Sequence, residues 1–294
     1  MNRRQFVQAS AALAGVACAT QETSTSVEYN LRYAPRIGFL NDLPVPRQLE
    51  IYAEHGFRAF EYNGLPRHSL QEAEQFRRKM DELGMEMGVF VVNSGGWKGD
   101  ALVDTAFHEG FLKDVHKALE YHGIMRNRWS TVTSGLAVSN IPLDQQTENV
   151  IEGLKRAADI VSKTDLVLVL EPLNVLVNHA GYFVVTSEHA AEIIDAVGSP
   201  QVKILFDIYH QQISEGNLID NIEKYWERIA YFQVGDVPGR KEPGTGEINY
   251  RNVFKAIHAK GYTGLLGMEH GLSQPGMSGL EKCFREYRQA DTWT

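Results

Sequence analysis

Four short apolar runs in the second half of the chain each end in a side chain that carries oxygen. The runs are 166–170, 202–206, 229–232 and 265–268, and the residues that follow them are Glu171, Asp207, Gln233 and Glu269. Near-continuous apolar runs are typical of parallel strands that are buried on both faces. In a closed barrel of parallel strands, side chains at the carboxyl ends converge although they are far apart in sequence. We therefore expect these four side chains to meet at one edge of a barrel.

Strand and helix patterns alternate along the whole chain, with no linker between domains. The predicted strands are 36–40, 57–62, 87–92, 129–133, 165–170, 202–206, 229–234 and 265–268. The predicted helices are 46–55, 69–83, 103–121, 144–163, 187–197, 217–226, 250–260 and 279–289. Eight alternations favour an α/β fold with a single (β/α)8 TIM barrel over residues 31–294. An open doubly wound sheet is the alternative, but no Gly-x-Gly-x-x-Gly turn follows the first strand.

Local signals define some helix ends. Ser69 is followed three residues later by Glu72, which predicts a capping box, and Gly84 ends the same helix. Asp144 is a candidate cap for the helix predicted at 144–163.

Composition limits the class of protein. The chain has 294 residues, 43% of them hydrophobic, which is enough for a large core in one domain. The formal net charge of −8 argues against extensive contact with nucleic acid, since such contact relies on basic surface. No run of eighteen apolar residues occurs, so we expect no membrane span.

The first residues have the pattern of an export signal. Arg3 and Arg4 precede an alanine-rich segment at 9–19, which predicts a twin-arginine signal over 1–19 and periplasmic localisation. Cys18 lies at the predicted cleavage site and is alternatively a lipid anchor. A cytosolic, alanine-rich extension is the third interpretation. Residues 20–30 are predicted to form a polar tether. The only other cysteine is Cys283, so a processed chain has no partner for an internal disulfide.

The four strand-end residues form an all-oxygen set. Three carboxylates that point at one place repel each other unless a cation lies between them. Carboxylate and amide oxygens favour Mg²⁺ or Mn²⁺, whereas Zn²⁺ prefers imidazole or thiolate. Each residue taken alone is explained equally well as a salt-bridged side chain or a helix cap. Their recurrence at four successive strand ends favours a divalent-metal site.

Several motifs in the same region carry a family resemblance. They are 171–174 (EPLN), 181–183 (GYF), 207–210 (DIYH), 233–236 (QVGD), 238–240 (PGR) and 242–250 (EPGTGEINY). Together they resemble the hydroxypyruvate isomerase family, which belongs to the wider group of xylose isomerase-like TIM barrels. The resemblance is strong from Glu171 to Glu269 and fainter from 46 to 92.

The resemblance implies a metal-dependent intramolecular oxidoreductase that isomerises a small hydroxy-oxo acid such as hydroxypyruvate through an enediolate. It implies that the four strand-end residues bind the metal and that Glu171 and Glu269 transfer protons. His210 is a candidate donor to a substrate oxygen, with a structural role as the alternative. Arg240 is a candidate for the substrate carboxylate, with a solvated loop residue as the alternative. Asp236 is a further candidate for substrate contact.

Two segments depart from the family pattern, and both are expected to shape the substrate pocket. They are the loop 93–98, which contains Trp97 and Lys98, and the fourth strand with its following turn at 129–135. Substrate identity therefore stays open. The alternatives are a sugar 3-epimerase or ketose isomerase, a non-catalytic sugar-binding barrel, and an abasic-site nuclease. The sequence does not indicate the oligomeric state.

Overall fold

The computed structural model describes residues 29–93, 96, 99 and 101–293. The predicted export signal with Cys18, most of the predicted tether, and the loop residues Trp97 and Lys98 lie outside the described residues. Localisation and lipidation therefore stay predictions. Within the described part of the chain, no helix is long and apolar enough to cross a membrane. Cys283 is buried and unpaired there.

Eight parallel strands form the centre of the described structure. They are β1 (Arg32–Pro35), β2 (Ala59–Phe60), β3 (Glu86–Met87), β4 (Trp129–Val132), β5 (Val167–Leu170), β6 (Val202–Asp207), β7 (Ile229–Gln233) and β8 (Leu265–Met268). Six strands pair in the order β1-β8-β7-β6-β5-β4, and β2 pairs with β3. Single parallel bridges, Arg36 to Glu61 and Val91 to Thr131, join the two sheets. Because the sheet returns on itself, the predicted barrel is confirmed.

Helices follow the strands and cover the outside of the barrel. The described residues form α1 (Val45–Glu54), α2 (Leu70–Glu82), α3 (His108–Met125), α4 (Leu143–Val161), α5 (Ser187–Val197), α6 (Ile208–Ser214), α7 (Leu218–Lys224), α8 (Tyr250–Ala259) and α9 (Gly276–Ala290). Single 3-10 turns lie at Leu65–Arg67, Thr105–Phe107 and Trp226–Arg228.

Several predicted boundaries need correction. The first strand lies earlier than 36–40, because the chain turns at Gly38, which has a φ of +113°. The short helix α6 was missed, since it begins directly at the strand end with Asp207 as its cap. Pro142 precedes α4, and Asp144 lies in the first turn and does not cap the helix. The capping box of Ser69 and Glu72 is confirmed.

The core has two layers. The larger layer lies between the barrel and its helices. The smaller layer fills the barrel interior with one residue from each strand region: Ala34, Ala59, Val89, Trp129, Val169, Leu205, Tyr231 and Leu265. A filled interior is normal for eight strands, where side chains occupy the whole lumen. This packed floor leaves the carboxyl ends of the strands as the place for a site.

Candidate metal centre and active site

The four predicted strand-end residues lie on neighbouring strands at the carboxyl edge of the barrel. Glu171 directly follows β5, Asp207 and Gln233 end β6 and β7, and Glu269 directly follows β8. Asp207 is in register with Gln233 across β6 and β7. Three of the four side chains are buried, and Glu269 is partly exposed. We call these four residues the donor cluster.

Arg240 joins two members of the donor cluster. Its Nη2 atom donates to Asp207 Oδ2 and to Glu269 Oε2, each at 2.7 Å. The guanidinium also lies over the ring of Tyr209, 4.9 Å from its centroid. Although burial lowers the pKa of Arg240, the charges of Glu269 and Asp207 raise it above its ordinary value. Arg240 is therefore a permanent positive charge between two carboxylates, and its buried Nε has no partner among the described residues.

Glu171, Asp207 and His210 form the group in the described residues that could hold a metal ion, with ligand atoms within 4.8 Å of one another. The hydrogen bonds of His210 show which of its two ring nitrogen atoms carries a proton. The backbone N–H of Asn174 donates to His210 Nδ1 at 3.2 Å, so Nδ1 carries no proton. Neutral His210 must then carry its proton on Nε2, which lies 3.5 Å from Asp207 Oδ2.

Burial lowers the pKa of His210 well below its usual value, which favours this neutral form. A protonated Nε2 is a hydrogen-bond donor and cannot bind a metal. His210 Nε2 has no hydrogen-bond partner within the described part of the structure. The geometry thus fits the predicted donor to a substrate oxygen better than a metal ligand.

Gln233 has an amide oriented by a residue that the sequence analysis missed. Its Nε2 atom donates to Glu61 Oε1 at 3.0 Å. Its Oε1 atom is buried and has no partner among residues 29–93 and 101–293. A buried carbonyl oxygen without a donor is costly, and a cation would satisfy it. The residues present therefore fit a divalent metal held by oxygen atoms.

Glu61 is fully buried at the end of β2. It accepts hydrogen bonds from Gln233 and from Tyr231 Oη, the latter at 3.1 Å. Burial, with repulsion from Glu269, raises the pKa of Glu61 to about 8. Gly267 makes room for this carboxyl, since a Cβ there would lie 1.7 Å from Glu61 Oε2. The sequence could have marked Glu61 as a site residue, because it follows a largely apolar run just as the donor cluster residues do.

Crowded acidic groups dominate the electrostatics. Burial raises the pKa of Glu171 well above its usual range, and repulsion from Glu269 and Asp207 adds to the effect. Burial also raises the pKa of Asp207 to about 6, against the opposing charge of Arg240. One guanidinium does not offset this many carboxylates. A divalent cation would lower the free energy of the ionised forms.

Asp236 has a structural place that differs from the predicted substrate contact. Its Oδ2 accepts the backbone N–H groups of Gly244 at 2.9 Å and Gly246 at 2.8 Å. Its Oδ1 accepts those of Val237 at 2.9 Å and Ile248 at 3.1 Å. Both oxygens are thus occupied by the loop that follows β7. Asp236 organises that loop, which carries Arg240, and we place it there rather than against substrate.

Asn63 is a second residue that the sequence analysis missed. It lies two residues beyond Glu61, and its Nδ2 donates to Glu269 Oε1 at 2.6 Å. This bond fixes the orientation of the Glu269 carboxylate, whose other oxygen accepts from Arg240. No apolar run or motif marked Asn63, because its function depends on a contact across the barrel edge.

A closed α/β barrel with buried polar residues at the carboxyl ends of β5 to β8 has the site arrangement of a barrel enzyme. Comparison with known proteins identifies the family to which this barrel belongs. Residues 49–286 match the family described as "Xylose isomerase-like TIM barrel", and the chain belongs to this family.

Similar proteins agree with this placement. The chain is 29% identical to the hydroxypyruvate isomerase of Escherichia coli K12, over 82% of this chain and 93% of that protein. It is 29% identical to the 2-oxo-tetronate isomerase of Cupriavidus necator, over 74% of this chain and 84% of that protein. A crystal structure from Brucella melitensis, named AP endonuclease family 2, superposes with a TM-score of 0.78 at 28% identity, covering 85% and 96% of the two chains. The predicted resemblance is confirmed, and the chain is an enzyme of the xylose isomerase-like family.

Proposed function

We propose that the protein is a divalent-metal-dependent isomerase of small hydroxy-oxo acids, of the hydroxypyruvate or 2-oxo-tetronate kind. The observation that carries the proposal is the unpartnered, buried Oε1 of Gln233, a residue in register with Asp207 at the ends of β6 and β7. The relatives named above support the reaction type. Glu171, Asp207, Gln233 and Glu269 would hold Mg²⁺ or Mn²⁺. When bound, the metal supplies Lewis-acid polarisation of the substrate oxygens.

The two glutamates are suited to move protons between neighbouring carbons. One carboxylate removes a proton from the hydroxyl-bearing carbon, which leaves an enediolate, and a proton returns to the former carbonyl carbon. The hydroxyl proton moves to the other oxygen, so the substrate and product are isomers. Burial, with repulsion from Glu269 and Asp207, raises the pKa of Glu171 and so makes its carboxylate a stronger base in the metal-free site.

Neighbouring side chains would position the substrate. His210 Nε2 has a proton to donate to a substrate oxygen, and nothing among the described residues receives it. Arg240 offers its buried Nε in the same way, while its Nη2 remains on Asp207 and Glu269. Its predicted role toward substrate is thereby limited to one free edge of the guanidinium.

Proton exchange in heavy water tests the proposal. Purified protein is incubated with Mg²⁺ or Mn²⁺ and a panel of hydroxypyruvate, 2-oxo-tetronate and ketoses, with a chelator-treated control. We expect metal-dependent deuterium incorporation into the oxo acids. Exchange with ketoses alone would move the assignment to a sugar 3-epimerase or ketose isomerase. Exchange with no compound would favour a sugar-binding barrel and overturn the isomerase assignment.

A further inference from the structure

A separate cavity adjoins the donor cluster on the side of β1 and β2. Its volume is about 730 Å³, within the range of pockets that hold small-molecule ligands. The loops after β1 and β2 line it, together with residues at the starts of α1 and α2. It meets the donor cluster through Glu61, which binds Gln233, and Asn63, which binds Glu269. We call this cavity the β1–β2 pocket.

Two polar groups that line the β1–β2 pocket have no partner among the described residues. The first is Asn63 Oδ1, which is buried while the Nδ2 of the same amide is held by Glu269. The second is the guanidinium of Arg36, which donates no hydrogen bond to residues 29–93 or 101–293 and forms no ion pair with them. Leaving a buried acceptor unpaired destabilises the folded protein, because the acceptor has lost its hydrogen bonds to water. A polar ligand in the pocket would pair with the half-buried guanidinium of Arg36 and would reach Asn63 Oδ1 once the Asn63 side chain moves toward it.

The backbone explains where Arg36 lies. Its bridge to Glu61 places it at the carboxyl end of the first strand region, half-buried. The following loop turns at Gly38, and a Cβ there would lie 3.8 Å from Arg36 Nη2 and 3.9 Å from Nε. The guanidinium therefore lies over the loop that lines the pocket. Its charge reaches the neighbouring carboxyl, since it acts to lower the pKa of Glu61.

The charge balance calls for a cation at this position. A carboxylate substrate that approaches Glu61 and the donor cluster meets several acidic groups. Arg240 is already shared between Asp207 and Glu269, so little of its charge remains for a substrate. A guanidinium binds carboxylate through two parallel hydrogen bonds, which an ammonium does not reproduce. Arg36 is the cation in the pocket that is partly withdrawn from solvent, whereas Arg67 is exposed.

We propose that the β1–β2 pocket binds the chain of a polyhydroxy oxo acid longer than three carbons, with Arg36 paired to its carboxylate. Asn63 Oδ1 accepts a hydrogen bond from a hydroxyl of the same ligand. This subsite rests on the proposed function and narrows its substrate class. The reacting carbons lie at the donor cluster, and the rest of the molecule extends into the pocket.

Binding of two non-reacting probes tests the subsite. Calorimetry with the Mn²⁺-loaded protein compares erythronate, a four-carbon hydroxy acid, with erythritol, the neutral alcohol of the same chain length. We expect erythronate to bind about 10- to 100-fold more tightly, as a charge-assisted pair provides. Arg36→Met should remove this preference, and Arg36→Lys should restore part of it. Arg78→Met removes an exposed charge on α2, outside the pocket, and should leave the preference unchanged.

The outcomes separate the subsite from the reaction. Equal affinity of the two probes for the native protein would overturn the subsite, as would equal losses in Arg36→Met and Arg78→Met. The lysine variant covers the case in which the methionine variant does not fold. Probe binding that depends on Arg36, without proton exchange in any oxo acid, would keep the subsite and remove the isomerase assignment. Proton exchange in the oxo acids, together with an unchanged KM for four-carbon acids in Arg36→Met, would keep the isomerase assignment and remove the subsite.

Discussion

Two polar regions share the carboxyl edge of the barrel and differ in how their hydrogen bonds are satisfied. In the donor cluster, the carboxylates of Asp207 and Glu269 are bound by Arg240, and Gln233 Oε1 is buried without a partner among the described residues. In the β1–β2 pocket, Arg36 and Asn63 line a cavity of about 730 Å³, and neither the Arg36 guanidinium nor Asn63 Oδ1 has a partner in the described structure. The first region suits the proposed cation and proton transfer, and the second suits the proposed ligand.

From this difference we expect the donor cluster to serve catalysis and the β1–β2 pocket to serve substrate recognition. Catalytic groups need fixed geometry, because a displacement of about 1 Å costs a large part of the rate. Recognition groups need unsatisfied donors and acceptors, because a ligand must improve their hydrogen bonding on binding. Changes in the donor cluster should therefore act on turnover and metal affinity, whereas changes in the β1–β2 pocket should act on substrate preference.

The largest expected effect on activity comes from Glu171 and Glu269, the residues proposed to transfer protons. Glu171→Gln or Glu269→Gln keeps the shape of the side chain and removes its basicity, so kcat should fall by about 10²- to 10⁴-fold. Steady-state kinetics at saturating metal measures the loss, and thermal unfolding shows whether the fold is intact. An increase in KM with kcat unchanged would mean that these glutamates only bind substrate.

An intermediate effect is expected where the two regions touch. Glu61→Gln allows the Gln233 amide to turn over, since a glutamine at this position also offers a donor. Metal affinity should then fall by about 10- to 100-fold, as for other residues that orient metal ligands. Titration with Mn²⁺ monitored by electron paramagnetic resonance measures this change directly. Glu74→Gln, the same substitution at an exposed position of α2 outside the β1–β2 pocket, should leave metal affinity unchanged.

Unchanged metal affinity in Glu61→Gln would show that Gln233 does not need this partner. Metal binding in the donor cluster would then be independent of the β1–β2 pocket. Gly267→Ala tests the same contact from the other side, because its Cβ would collide with the Glu61 carboxyl.

The smallest expected effect concerns stability and pH. The folded-state pKa values of Glu61, about 8, and Asp207, about 6, lie above their unfolded values. The folded metal-free protein therefore holds more protons than the unfolded chain between about pH 4 and 8. Its free energy of unfolding should fall as pH rises through this window, by ~1 kcal/mol per pH unit for each proton. Urea denaturation in chelator at several pH values measures the slope.

Added Mg²⁺ or Mn²⁺ should reduce that loss of stability, because the metal binds the ionised carboxylates of the folded state. A metal-free protein that becomes more stable from pH 6 to pH 8 would contradict the crowding of acidic groups in the donor cluster.

Much of the fold was predictable because burial leaves a local pattern. The bounds of α5 and β8 agree with prediction, since a continuous apolar run or a 3.6-residue period marks both elements. The first strand was misplaced because 36–40 is also apolar, although Gly38 turns the chain there. The helix α6 was missed because it follows β6 with no intervening loop.

The candidate site was predictable to the same extent. The donor cluster could be proposed because each member follows an apolar run at a strand end. Asp236 was a candidate through the family resemblance, yet its carboxylate is used by backbone N–H groups of its own loop. Asn63 and Arg36 carried no such signal, since their partners or lack of partners depend on loops from other parts of the chain.

The amino-acid sequence by itself determined the barrel and the all-oxygen character of its site, because strand burial and ligand chemistry depend on residue type and period. Only the tertiary structure decided that Glu61 orients Gln233, that Arg240 lies between two carboxylates, and that Arg36 faces a cavity. These hydrogen bonds join residues that are 29 to 172 positions apart, and they depend on distance and angle in space, which no local pattern encodes.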